Sequence, residues 1–233
     1  GYNGDWGAHH LDIAQWGLDL DKSGPVKVIR SEEPYSANPL HGGRRQFGMK
    51  FVMEDGCILQ HNPFSVWGTV FYGTKGIVAV NRGRIAVWVG KGVKPTPENR
   101  KALDDVSFSK MKKVAASIGE DYGFDPSQKK DDRLANCLDT LDDYFKLADA
   151  KVQLYNSPLQ EQNFIECCVS RKPTISPAET GARASILCLL CNLSYVYDAS
   201  FDWDPVKCTF ANNTGDPTWL KRPVNRNGWD IEL

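Results

Sequence analysis

Apolar and polar positions recur with different periods along this chain, and the changes of period mark its elements. Near the start, Asp5, His9, Asp12 and Trp16 recur at spacings of four, three and four, and Trp6, His10, Ile13, Gly17 and Leu20 form a second such row. Residues three and four apart are neighbours on a helix, so the spacing predicts a helix over residues 6–20. Asp5 stands near its N-cap, and Lys22-Ser23-Gly24-Pro25 ends it. A short strand is expected at 26–31. From Arg44 the period becomes two: Phe47, Met49, Phe51 and Met53 alternate with Gln46, Gly48, Lys50 and Val52, the pattern of a half-buried strand. Glu54-Asp55-Gly56 is a tight turn into a strand at 57–62, and further strands are expected at 67–72, 77–80 and 84–89. Short connections make sequence neighbours antiparallel, giving a meander of about five or six strands.

Residues 90–130 carry little periodicity and are expected to form a surface insertion, with a short helix at 108–116. Leu134, Leu138, Leu141 and Phe145 then mark an amphipathic helix. A helix over 158–170 stops at Arg171-Lys172-Pro173, with bases at its negative end. A helix over 177–197 is nearly apolar through its middle and is expected to pack centrally. The tail, 201–233, is rich in Trp and Asn. The expected fold is α+β: an open, mostly antiparallel sheet with helices packed on one face, in a single domain spanning residues 1–233.

Composition narrows the function classes. A net charge of −1 provides no overall field toward nucleic acid or an anionic membrane, so neither is an expected partner. Apolar runs fall short of a membrane span. Seven cysteines leave at least one unpaired within the chain. Cys188 and Cys191 have C-x-x-C spacing, but their aliphatic surroundings predict buried thiols rather than a redox site. Cysteine usage favours a reducing, cytoplasmic setting, with a periplasmic or secreted one left open.

The candidate chemistry lies in the first helix. A row of carboxylate, imidazole and carboxylate is costly to bury unless it is satisfied or used. The bland reading is a helix start whose acids complement the dipole. Two functional readings stand beside it. In one, His9 transfers a proton and Asp5 or Asp12 fixes its tautomer. In the other, a metal-dependent lyase or hydrolase uses His9, Asp12 and His61 as ligands; His41 and His61 have no recognisable ligand spacing, which favours acid–base work.

The segment Gly4-Asp5-Trp6-Gly7-Ala8-His9-His10-Leu11-Asp12 resembles the Asp-x-Gly-x-His-x-x-Asp motif that opens the C-terminal domain of glucose–fructose oxidoreductase/inositol dehydrogenase/rhizopine-catabolism (Gfo/Idh/MocA) enzymes. Ala8 to Trp16 is similar to a bacterial subgroup with Ala-His-His-x-Asp-Ile-Ala-Gln-Trp. Phe71-Tyr72-Gly73-Thr74-Lys75-Gly76 resembles the family's Tyr/Phe-Gly-Thr-x-Gly turn. Asn163-Phe164-Ile165-Glu166-Cys167-Cys168-Val169-Ser170-Arg171-Lys172-Pro173 resembles its Asn-Phe-Leu-Asp-Cys helix end, and the tail echoes its Trp-Asp-Pro and Arg-Pro segments. The resemblance implies an oxidoreductase that interconverts a sugar or polyol hydroxyl and a ketone or lactone with NAD or NADP. It implies catalytic roles for His9 and Asp5; Asp12, His10, Trp6 and Arg183 are the candidates for orienting substrate. It also implies a homodimer or tetramer formed through the open sheet face.

One departure is large. The sequence contains no Gly-x-Gly-x-x-Gly after a strand and no Glu-Lys-Pro, the motifs that supply the family's dinucleotide cradle and catalytic lysine. The chain is therefore expected to be the C-terminal half of a longer enzyme, inactive alone and with no cofactor-binding residues of its own. A non-catalytic oligomerising or carbohydrate-binding module is the alternative. Among lesser candidates, Arg183 suits a structural role as well as substrate contact, Lys50, Arg44 and Arg45 suit a solvated strand face, and Trp67 and Trp88 suit sheet packing or a sugar platform.

Overall fold

The computed structural model describes residues 2–32, 47–61, 68–73, 76–81, 84–89, 120–123 and 146–221. The helix expected at 108–116, the amphipathic row from Leu134 to Phe145, and Trp67, His41, Arg44, Arg45 and residues 222–233 lie outside the described residues. The fold is α+β, as expected, with antiparallel sheets and helices. The single meander is corrected: the strands divide between two sheets, and the chain forms two compact units, Gly1–Lys22 with Asn62–Ser185, and Ser23–His61 with Ile186–Leu233.

In the first unit, α1 spans Tyr2–Gly17. It starts earlier than the pattern indicated, so Asp5 stands within the first turn rather than at the cap, where its charge still complements the helix dipole. It also ends earlier. Asp19 turns left-handed at φ 57, its N–H bonds the Trp16 carbonyl at 3.0 Å and Leu20 N–H bonds the Gln15 carbonyl at 2.9 Å. That is a Schellman closure with Asp in place of the usual glycine. Strands β4 (Thr69–Tyr72), β5 (Gly76–Asn81), β6 (Arg84–Val89) and β7 (Glu120–Gly123) form a four-stranded antiparallel sheet in sequence order. β7 falls in the stretch expected to be a surface insertion. Its Glu-Asp-Tyr-Gly sequence has no alternation to betray it, and it is held as a strand by pairing with β6.

The same unit contains α2 (Gln160–Ser170) and the start of α3 (Ala178–Tyr197). α2 buries only Asn163 and Cys167. The Asn163 amide nitrogen donates to the Tyr155 hydroxyl, and its carbonyl oxygen accepts from Ile175 N–H at 3.1 Å. The Cys167 thiol donates to the Pro173 carbonyl at 3.4 Å. One buried amide thus ties the chain before the helix to the chain after it.

The second unit holds the five-stranded sheet, in the order β3-β2-β1-β8-β9, made from β1 (Pro25–Ile29), β2 (Lys50–Met53), β3 (Ile58–Gln60), β8 (Phe201–Asp204) and β9 (Thr209–Ala211). Val28 stands opposite both Phe51 and Phe201. Met49, Phe51, Met53, Val28, Phe201 and Trp203 are all buried, while the intervening Lys27, Lys50, Val52 and Asp202 are not. This bears out the half-buried pattern. Each such aromatic or aliphatic side chain contributes roughly 1.5–3 kcal/mol when removed from water. The tail supplies β8 and β9. Asp204 closes their turn by accepting from Val206 N–H at 3.0 Å and Lys207 N–H at 2.9 Å, bonds that hold its carboxyl below the usual range.

α3 brings Leu187, Cys188, Leu190, Cys191, Ser194 and Tyr195 into the core of this unit, but Leu189, Val196 and Tyr197 are exposed, so the helix has one buried face rather than a buried circumference. The Tyr195 hydroxyl lies 2.8 Å from His61 Nδ1 and accepts from Met49 N–H at 3.4 Å. Burial raises the phenol well above its ordinary range, so it remains protonated and donates to Nδ1. Cys188 and Cys191 are buried thiols raised by desolvation, as their sequence context predicted.

Two stability predictions follow from these polar cores. Asn163→Ala leaves Ile175 N–H without its acceptor and should lower unfolding stability by roughly 2–3 kcal/mol in urea titrations. Burial lowers the His61 imidazole to about 4. The unfolded chain therefore binds this proton first as pH falls below the ordinary histidine range, and the native state loses stability until its own imidazole titrates. Between pH 7 and pH 4.5 the loss assigned to His61 is about 2–3 kcal/mol. In a His61→Gln variant the stability-versus-pH curve should be flatter over that window by this amount.

Candidate functional site

The candidate residues sit on α1, and the seating of that helix decides which of them face solvent. Leu11, Ala14 and Gln15 are buried, whereas Asp5, His9 and Trp16 are exposed. Two glycines allow close approach to the neighbouring strand. A Cβ on Gly17 would lie 2.5 Å from Phe71 Cζ, and one on Gly68 would lie 2.5 Å from His10 Cε1. Gly68 also has φ 64, a backbone region that suits glycine. The Thr69 hydroxyl donates to the His10 carbonyl at 3.0 Å, and the His10 ring stacks on Trp6 with centroids 6.5 Å apart and planes 18° from parallel.

His10 is therefore a packing residue wedged between Trp6 and the Gly68 backbone. His9 is the exposed imidazole of the pair, and the Trp6 indole meets it edge-on at 6.1 Å. Asp12 is half-buried, and its carboxyl is raised above the usual range, first by desolvation and next by the charge of Asp21; His9 pulls it the other way. His9 and Asp12 thus share one electrostatic neighbourhood, as the row of spacings predicted. Asp5 lies on the same row, exposed, one turn toward the N-terminus.

Arg183 is engaged on its own helix: its Nε and Nη2 both lie 2.7 Å from Glu179 Oε1. His61, considered as a metal ligand, belongs to the second unit and is held by Tyr195. Among the described residues no group of three or more His, Cys, Asp or Glu side chains could hold a metal ion. No described helix is long and apolar enough to cross a membrane.

Sequence reasoning did not find Asp21, Gly68 or Thr69. Asp21 reaches Asp12's surroundings only because the Schellman closure turns the chain back, and Gly68 and Thr69 act on α1 through a strand far along the sequence. Gln15 was also passed over. Its side-chain amide is buried with no hydrogen bond among the described residues, a cost of roughly 1–3 kcal/mol that the apolar seating of α1 must offset.

Comparison with protein-family models, with curated proteins and with solved structures finds no match.

The raised Asp12 carboxyl has a stability consequence with a definite sign. A carboxyl that titrates higher folded than unfolded favours folding at low pH and opposes it once deprotonated. Asp12→Asn should therefore raise the melting temperature at pH 7, with the gain fading at acidic pH; scanning calorimetry at both pH values checks it.

Proposed function

We propose that this chain is the catalytic and substrate-binding part of an NAD(P)-dependent oxidoreductase that interconverts a sugar or polyol hydroxyl and a ketone or lactone. The observation that carries this reading is the α1 row: an exposed imidazole, His9, with a half-buried carboxyl, Asp12, beside it and a second carboxylate, Asp5, one turn away. The resemblance of the segment from Gly4 to Trp16 to Gfo/Idh/MocA enzymes supports it.

The steps assigned to these residues are proton transfer and orientation. An imidazole has an intrinsic affinity suited to taking a hydroxyl proton near neutral pH. Asp5 and Asp12, on the same row of α1, are assigned the orienting of the ring and of the substrate hydroxyl. The His9 side chain is exposed to solvent, with the Trp6 indole beside its ring at 6.1 Å between centroids. Arg183, held by Glu179 through Nε and Nη2, is the cation this reading assigns to orienting substrate.

A nicotinamide cofactor would accept or supply hydride at the substrate carbon. The sequence contains no glycine-rich phosphate loop, so these residues do not fit a dinucleotide cradle. In this reading the cofactor and the catalytic lysine belong to a separate Rossmann domain, and the isolated chain is inactive. Association into a dimer or tetramer through an open sheet face is part of the same proposal. A non-catalytic oligomerising or sugar-binding module is the second reading, favoured by the large apolar side chains left exposed on α2.

In the protein carrying its dinucleotide domain, His9→Ala should lower turnover by about 10²–10⁴-fold with cofactor affinity nearly unchanged. Steady-state kinetics paired with calorimetric NAD and NADP titrations make the measurement. Turnover equal to the parent's would remove His9 from the chemistry and leave the module reading in its place.

A further inference from the structure

α2 is a helix that its own chain barely holds. Only Asn163 and Cys167 of its 11 residues are buried. Isolated helices below about 12–15 residues are marginal in water, and this one turns its most apolar side outward. Phe164 and Ile165 are each 62% exposed and Val169 is 81% exposed, with Cys168 exposed between them. At 100° per residue these four side chains cover one continuous arc opposite the Asn163/Cys167 side.

The charges around that arc are arranged in a telling order. Glu161 lies in the first turn, on the same arc, and the bases follow directly after the last turn, at Arg171 and Lys172. Glu161 and Lys172 are exposed, and neither forms an ion pair within its own chain among the described residues. The sequence is balanced about the midpoint between Glu166 and Cys167. Equal steps either side of it pair Ile165 with Cys168, Phe164 with Val169, and Glu161 with Lys172. Such a pattern is self-complementary under a two-fold rotation: apolar residues meet apolar ones at the centre, and acid meets base at both ends.

We propose that the outer face of α2 is an isologous docking surface for a second copy of this chain, the two helices lying antiparallel with Phe164, Ile165, Cys168 and Val169 at the centre and Glu161 facing the partner subunit's Lys172. The contact is distinct from association through a sheet face, and it does not depend on the oxidoreductase reading. The two-fold makes every interaction occur twice, so a single charge reversal acts at both ends of the interface.

Sedimentation equilibrium of the 233-residue chain tests it, with circular dichroism confirming that each variant is folded. The parent should associate. Ile165→Glu, at an exposed position, should halve the mass of the assembly. Glu161→Lys should weaken self-association by about tenfold, because two attractive pairs become repulsive. The double variant Glu161→Lys/Lys172→Glu should return the dissociation constant to within about threefold of the parent's. A parent that stays monomeric at high concentration, an assembly unaffected by Ile165→Glu, or a double variant as weak as Glu161→Lys alone would each overturn the proposal. The first of these outcomes would assign the face to a different domain or protein.

Discussion

The close approach of α1 to β4 is the constraint on which the candidate site depends. A helix can present any of its faces to solvent until something fixes its rotation. Here Phe71 meets Gly17, and the His10 ring meets Gly68. A Cβ at Gly17 would force the Phe71 ring to move, and one at Gly68 the His10 ring. With α1 so placed, Leu11, Ala14 and Gln15 turn inward and the row containing Asp5 and His9 turns out. Adjacent histidines thereby take different settings: the His10 ring packs between Trp6 and Gly68, and His9 is exposed.

The local patterns in the sequence were legible wherever one element carried its own signal. The alternation through Met49, Phe51 and Met53 predicted a half-buried strand, and the same three residues line the buried face of the five-stranded sheet. Spacing around His9 correctly joined it to Asp12. What could not be read was partnership between distant segments. Short links between strands suggested one meander, yet β2 pairs with β1 and β3 in one sheet while, among the described residues, β4 pairs with β5 in another. The Phe201-Asp202-Trp203-Asp204 alternation is four residues long, too brief to separate from chance, and it becomes a strand because Val28 stands opposite Phe201. Asp21 escaped notice for the same reason: a chain reversal, not a repeat, brings its charge to Asp12.

Motifs that look chemical can also turn out to be mechanical. The C-x-x-C pair lies on the buried face of α3, where desolvation holds both thiols protonated. Cys191 Sγ lies 3.6 Å from His61 Nδ1, but Tyr195 is nearer at 2.8 Å and is the effective donor. The Asn163-to-Pro173 segment, met first as a family resemblance, likewise has a physical reason within this chain. Its asparagine, cysteine and proline share one buried set of hydrogen bonds that clips α2 at both ends.

Arg171 gives the end of α2 a different significance. It closes the helix at φ 58, donating its N–H to the Cys167 carbonyl at 2.9 Å. Glycine reaches that conformation without strain, whereas an arginine there costs about 1 kcal/mol or more of backbone energy. The conformation is held by its backbone: the N–H that Arg171 turns inward satisfies the Cys167 carbonyl at the end of the helix. Arg171→Gly would keep that backbone bond while relieving the strain, so the helix end can be firmed without touching the buried Asn163 and Cys167.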